Sequence, residues 1–128
     1  IRAGGDWVDV DVARNPYGLI ASIPGDKLWL SFHDFTGVPD DLDVTLQGMR
    51  VMDPFLVKFA VTTNDADQLS EFLVFASSIP PEENSIFTTM GSLGETGRDQ
   101  IGGTSWGQFF ALDEDSKTAS GQKTLDDL

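Results

Sequence analysis

The segment Leu42–Thr62, LDVTLQGMRVMDPFLVKFAVT, decides how the chain is read. In its second part Phe55, Val57, Phe59 and Val61 alternate strictly, the period of a pleated strand with one face turned to a core. In its first part Leu42, Val44 and Leu46 share one parity, whereas Met49 and Val51 take the other. Gly48 stands where the parity changes, as a β-bulge would place it. With Met52-Asp53-Pro54 between them, the two runs read as an antiparallel hairpin.

Working upstream, Asp6–Val12 sets Val8, Val10 and Val12 against Asp9 and Asp11, a strand with one solvated face. Asn15-Pro16-Tyr17-Gly18 is turn chemistry, Leu19–Ile23 a short strand, and Pro24-Gly25-Asp26 a second turn. Lys27–Phe35 alternates again, with Leu28, Leu30 and Phe32 on one face and Lys27, Trp29, Ser31 and His33 on the other. A loop follows over Gly37–Asp41.

Downstream, Asp65 with Gln68 three residues later has capping-box spacing. Leu69, Phe72, Leu73, Ala76 and Ile79 recur at helical intervals before Pro80-Pro81, so a helix is expected near residues 66–79. Val74 and Phe75 fall off that stripe and leave a strand over 70–75 as the alternative. Ser85–Met90 is a weakly patterned strand, Gly91–Gly103 a long glycine-rich loop, and Ser105–Leu112 a strand apolar on both faces. Short alternating strands at close spacing predict an all-β fold, an antiparallel β-sandwich or jelly-roll-like domain of about seven strands with one helix. A β-rich α+β sheet with the helix on one face is the alternative.

The totals fit one domain. The chain has 128 residues, 40% of them hydrophobic, enough for one core and too apolar for disorder. Residues 1–112 are expected to form the β-rich globular domain, and the polar tail 113–128 to be ordered by contact with a partner. Ile1 in place of Met suggests a processed or trimmed product. There are 21 acidic residues against 8 basic ones, a formal net charge of −13. Such a surface repels phosphate backbones and anionic lipid, which excludes nucleic acid, and no apolar run is long enough for membrane insertion. With no cysteine, disulfide frameworks and thiolate metal sites are absent.

The chemistry-bearing candidates are few. Gly103-Thr104-Ser105-Trp106-Gly107 fits G-x-S-x-G, but the one histidine, His33, lies far upstream, the reverse of the order this motif needs. Ser31, His33 and Asp34 make no triad, because Asp34 points to the opposite face of the strand. Asp40, Asp41 and Asp43 in a loop offer hard oxygen ligands, so calcium is the candidate ion, with no cofactor otherwise expected. Trp29, beside His33 on the polar face, offers an aromatic platform for a sugar ring or a protein contact. The functional expectation is a non-enzymatic structural or assembly subunit of a virion, filament or multiprotein complex. Its partners are then protein subunits in a homo- or hetero-oligomer, in an extracellular, virion or surface assembly. The alternative is an extracellular carbohydrate- or ligand-binding β-sandwich module, calcium-stabilised, with a glycan as ligand.

Overall fold

Strands β1 (Val8–Asp11), β2 (Leu28–Asp34), β3 (Leu56–Thr62) and β4 (Ser85–Met90) lie side by side in chain order. Every neighbouring pair is parallel. This computed structural model describes residues 6–14, 20–80 and 82–101. Helices α1 (Leu42–Val51) and α2 (Ala66–Ser77) connect β2 to β3 and β3 to β4, and α3 (Gly94–Ile101) follows β4. No helix among the described residues is long and apolar enough to cross a membrane.

The segment that decided the sequence reading is therefore not a hairpin. Leu42, Leu46 and Met49 are the buried residues of α1, and they stand at i, i+4 and i+7. Val44 and Val51, which completed the apparent alternation, are 66% and 83% exposed. Gly48 is a helical residue with open space where a side chain would be, and no bulge exists there. Asp43 in the first turn and Arg50 in the last oppose the helix dipole favourably. Two valines on the solvent face thus mimicked a period of two.

The helix expected near 66–79 forms over Ala66–Ser77. Asp65 accepts from the Gln68 backbone N–H at 2.8 Å, and the Gln68 side chain accepts from the Asn64 N–H at 3.0 Å. Leu69, Phe72 and Ala76 are buried, while Val74, which fell off the stripe, is exposed. The expected glycine-rich loop contains α3 instead. A Cβ on Gly97 would come within 2.2 Å of Thr89 Oγ1, so this helix seats on β4 because glycine stands there. Ile20–Ile23, expected in a strand, closes a turn through an Ile23 N–H to Ile20 carbonyl bond of 3.1 Å.

The antiparallel sandwich or jelly roll is thus replaced by a parallel α/β sheet. The sheet still has two unlike faces, which is why its strands alternate. On the outer face Val10, Leu30, Val57, Phe59, Val61 and Phe87 meet Leu42, Leu46 and Met49 of α1 and Phe72 and Ala76 of α2 in one core. The inner face carries Asp9 and Asp11 of β1, Trp29, Ser31 and His33 of β2, Lys58 and Ala60 of β3, and Thr88 and Met90 of β4. A doubly wound sheet reverses its strand order part-way. Consecutive parallel order without reversal is the pattern of a (β/α) barrel segment, whose inner face lies toward the barrel axis. The turn at Asn15–Gly18, Leu19, Pro81, the Gly103–Gly107 motif, the expected strand Ser105–Leu112 and the tail 113–128 lie outside the described residues.

Candidate functional site

Parallel pairing stacks the inner side chains in rows. One row runs Asp11, Ser31, Lys58, Ile86; the next, toward the carboxyl ends of the strands, runs His33, Ala60, Thr88. In barrels of this kind the carboxyl ends carry the chemistry, because the loops that shape a ligand site follow them. Lys58 is the one charged residue of β3, whose other members are apolar except Thr62 at its end. Burial pushes its ammonium below the ordinary lysine pKa. The Asp9 carboxylate works against that shift, and the positive charge of Arg98 reinforces it.

His33 stands one row above Lys58 on the neighbouring strand. Its Nδ1 lies 3.7 Å from Asp11 Oδ2, across the β1–β2 pair. With the Asp11 carboxylate on the Nδ1 side, Nε2 is turned away from β1. The ring of Phe35 lies parallel to the His33 imidazole, centroids 5.9 Å apart at 7°. The backbone beyond His33 is fixed by Asp34, whose Oδ1 accepts from the Thr36 N–H and hydroxyl at 2.8 Å and the Gly37 N–H at 3.0 Å. Burial pushes the Asp34 carboxyl up, yet these donors outweigh it and hold the group below its ordinary pKa. Asn64 ties the same turn to β3 by donating to the Thr36 carbonyl at 2.9 Å.

Arg98 enters from α3. It is buried, and its Nε donates to the Thr89 carbonyl at 2.9 Å. Thr89 is held in turn by its hydroxyl, which donates to the Gly94 carbonyl at 2.7 Å. Burial lowers the guanidinium pKa, but arginine keeps its charge in proteins. Asp11, His33 and Lys58 therefore share the inner face, and the charge of the desolvated Arg98 is felt at Lys58. Such a group can bind an anion, transfer a proton and present an amine to an electrophile.

The residues singled out from sequence meet different fates. His33 sits within this face. Trp29 lies at its amino-terminal end, with its ring 5.5 Å from that of Trp7, which also stacks on Phe55 at 5.4 Å. Trp29 is half-buried beside that cluster. Asp40 and Asp41 are exposed in the turn before α1, and Asp43 is exposed in its first turn. Among the described residues no three His, Cys, Asp or Glu side chains gather to hold a metal ion. Asp11, Lys58 and Arg98 were missed. The available signal was Lys58, a lone charge inside a run otherwise fit for burial on both faces.

No protein-family model matches the chain. It is 33% identical, over 104 residues, to the 3-dehydroquinate dehydratase of Streptococcus pneumoniae strain Hungary19A-6, matching 77% of this chain and 45% of that enzyme. The chain therefore spans about half the length of the curated relatives it matches. Among solved structures it resembles the 3-dehydroquinate dehydratase of Geobacillus kaustophilus, with TM-score 0.77, 22% identity, and coverage of 95% of this chain and 50% of the other. A type I 3-dehydroquinate dehydratase from Clostridium difficile, with covalently modified comenic acid, gives TM-score 0.72 and 21% identity over 95% of this chain and 52% of its own. These neighbours share a barrel-like α/β fold, in agreement with the parallel sheet. Relatives and neighbours are enzymes. The expected non-enzymatic virion or assembly subunit, and its carbohydrate-binding alternative, are corrected accordingly.

Proposed function

We propose that this chain carries the imine-forming centre of a 3-dehydroquinate dehydratase. The observation that supports the reading is Lys58: an amine held below its usual pKa by burial, on one face with His33 and its carboxylate partner. A desolvated lysine is neutral at lower pH than a free one, and a neutral amine adds to ketones. The substrate that names the relatives is a cyclic hydroxy-keto acid. Each of its groups has a counterpart here: Lys58 for the ketone, His33 for the proton, Arg98 for the carboxylate.

The chemistry balances with these residues alone. The Lys58 amine adds to the ketone carbon and loses water, giving a protonated imine. That cation draws electrons from the adjacent carbon, so His33 Nε2 removes a proton there and leaves an enamine. Asp11 opposes the positive charge that His33 gains. The enamine expels the β-hydroxyl, which departs as water with the proton from His33. Hydrolysis of the conjugated imine releases the enone and restores the amine. Arg98 holds the carboxylate throughout and, by its charge, keeps Lys58 from staying protonated.

Incubation with 3-dehydroquinate and borohydride is expected to leave a reduced adduct on Lys58, located by peptide mass spectrometry. Lys58→Met is expected to abolish both the adduct and the appearance of the conjugated product. An adduct on another lysine, or turnover persisting in Lys58→Met, overturns the reading.

A further inference from the structure

Thr88 stands on the inner face of β4, in the row of His33 and Ala60. It is 6% exposed, and its hydroxyl is buried with no hydrogen-bond partner among the described residues. The neighbouring Thr89, on the outer face, has its hydroxyl bonded to the Gly94 carbonyl. A buried hydroxyl without a partner is uncommon and costly. Valine would fill nearly the same volume in a strand without that cost, so a threonine here calls for a ligand atom.

Its surroundings say which atom. Arg98 Nε donates to the Thr89 carbonyl at 2.9 Å, which anchors the guanidinium on the peptide next to Thr88. The charge of Arg98 is also felt at Lys58, so an anion drawn to it comes to the β4 side of the inner face. In 3-dehydroquinate the carbon that loses the proton has two ring neighbours, the ketone carbon and the carbon that bears the carboxylate. With the ketone carbon on Lys58 and the carboxylate toward Arg98, the carbon between them lies over Ala60, which contributes only a methyl group. His33 reaches that carbon from β2. The backbones of His33 and Thr88 are two strand spacings apart, about 10 Å, enough for imidazole, ring carbon, carboxylate and hydroxyl in succession. The hydroxyl-bearing carbon opposite the carboxylate is then turned away from β4. We propose that Thr88 Oγ1 donates a hydrogen bond to the substrate carboxylate, beside Arg98, and so holds the ring for proton removal by His33. The inference rests on the dehydratase reading and names a further substrate-binding residue within it.

The test compares 3-dehydroquinate with its carboxamide, in which a neutral amide replaces the carboxylate, in wild type, Thr88→Val and Thr88→Ser. Affinity is read as the concentration giving half-maximal adduct in borohydride trapping, which does not require turnover. Wild type is expected to favour the carboxylate. Thr88→Val narrows that preference by about five- to tenfold, the difference between a hydrogen bond to a charged acceptor and one to a neutral acceptor. Its Tm stays level or rises, and Thr88→Ser retains the preference. Should Thr88→Val fail to fold, Thr88→Ala serves, with the same narrowing expected. An equal loss on both compounds, or no loss on either, overturns the inference and leaves borohydride trapping at Lys58 intact. Absence of any trapped adduct in wild type overturns the dehydratase reading, and this inference with it.

Discussion

Asp11 and His33, on adjacent parallel strands, place a carboxylate oxygen 3.7 Å from the imidazole Nδ1. Both are partly exposed, so the pair acts as an orienting contact that strengthens when the ring becomes cationic. Asp11→Asn keeps the shape and removes the charge. We expect kcat to fall by about tenfold or more, with KM changed much less, because proton transfer is lost in part and binding is not. Steady-state kinetics separates the two.

Asp9 is the group that favours the charged form of Lys58 against burial. Asp9→Asn removes that support, so the Lys58 pKa falls further and more neutral amine is present at a given pH. The pH dependence of adduct trapping, which follows the amine, is expected to shift to lower pH. Asp9 is exposed, so the shift shrinks as salt rises. A shift toward higher pH contradicts the assignment.

Gly97→Ala drives a methyl group into Thr89, against its hydroxyl and Cβ. Either α3 moves outward or the Thr89–Gly94 bond breaks, and Arg98 is carried along in both cases. The expected cost is about 1–3 kcal/mol in stability. KM for the anionic substrate should rise with it, while Gly48→Ala, facing open space, leaves KM unchanged and serves as the control.

At the opposite end of the sheet Arg50 Nε donates to Glu83 Oε1 at 2.7 Å, with Nη2 on the other oxygen. The hydrogen bond from Arg50 holds the Glu83 carboxyl below its ordinary pKa, against desolvation. A depressed carboxylate pKa adds stability above the unfolded-state value, and that stability is lost as pH falls through the folded value. Arg50→Met should therefore cost about 0.5–1 kcal/mol at pH 7, a difference that vanishes below the range of Glu83 titration. Urea denaturation at a series of pH values measures it.

What sequence reading recovered was local. The faces of Leu28–His33 and Val57–Val61 were assigned correctly, since Leu30 and Phe59 are core while His33 lies on the other side, whereas Phe55, expected on the core face, precedes the strand and meets Trp7. Direction of pairing was not legible, because a period of two is common to parallel and antiparallel strands. At Leu42–Val51 two exposed valines concealed a helical stripe. The site was harder still. Asp11, His33, Lys58 and Arg98 are separated by 22, 25 and 40 residues, and only parallel register and a close helix seat bring them together. Of the three residues that were missed, only Lys58 carried a signal, a charge within an apolar run.

The strand pairings have a kinetic side. Val8 pairs with Leu28, Trp29 with Leu56 and Val57 with Ser85, partners 20, 27 and 28 residues apart, with no hairpin among them. Each pairing closes a long loop before any contact rewards it, which places such a sheet among slow folders. The face that holds His33, Lys58 and Thr88 exists only once these distant pairings are made, and strand edges left unpaired are open to intermolecular association.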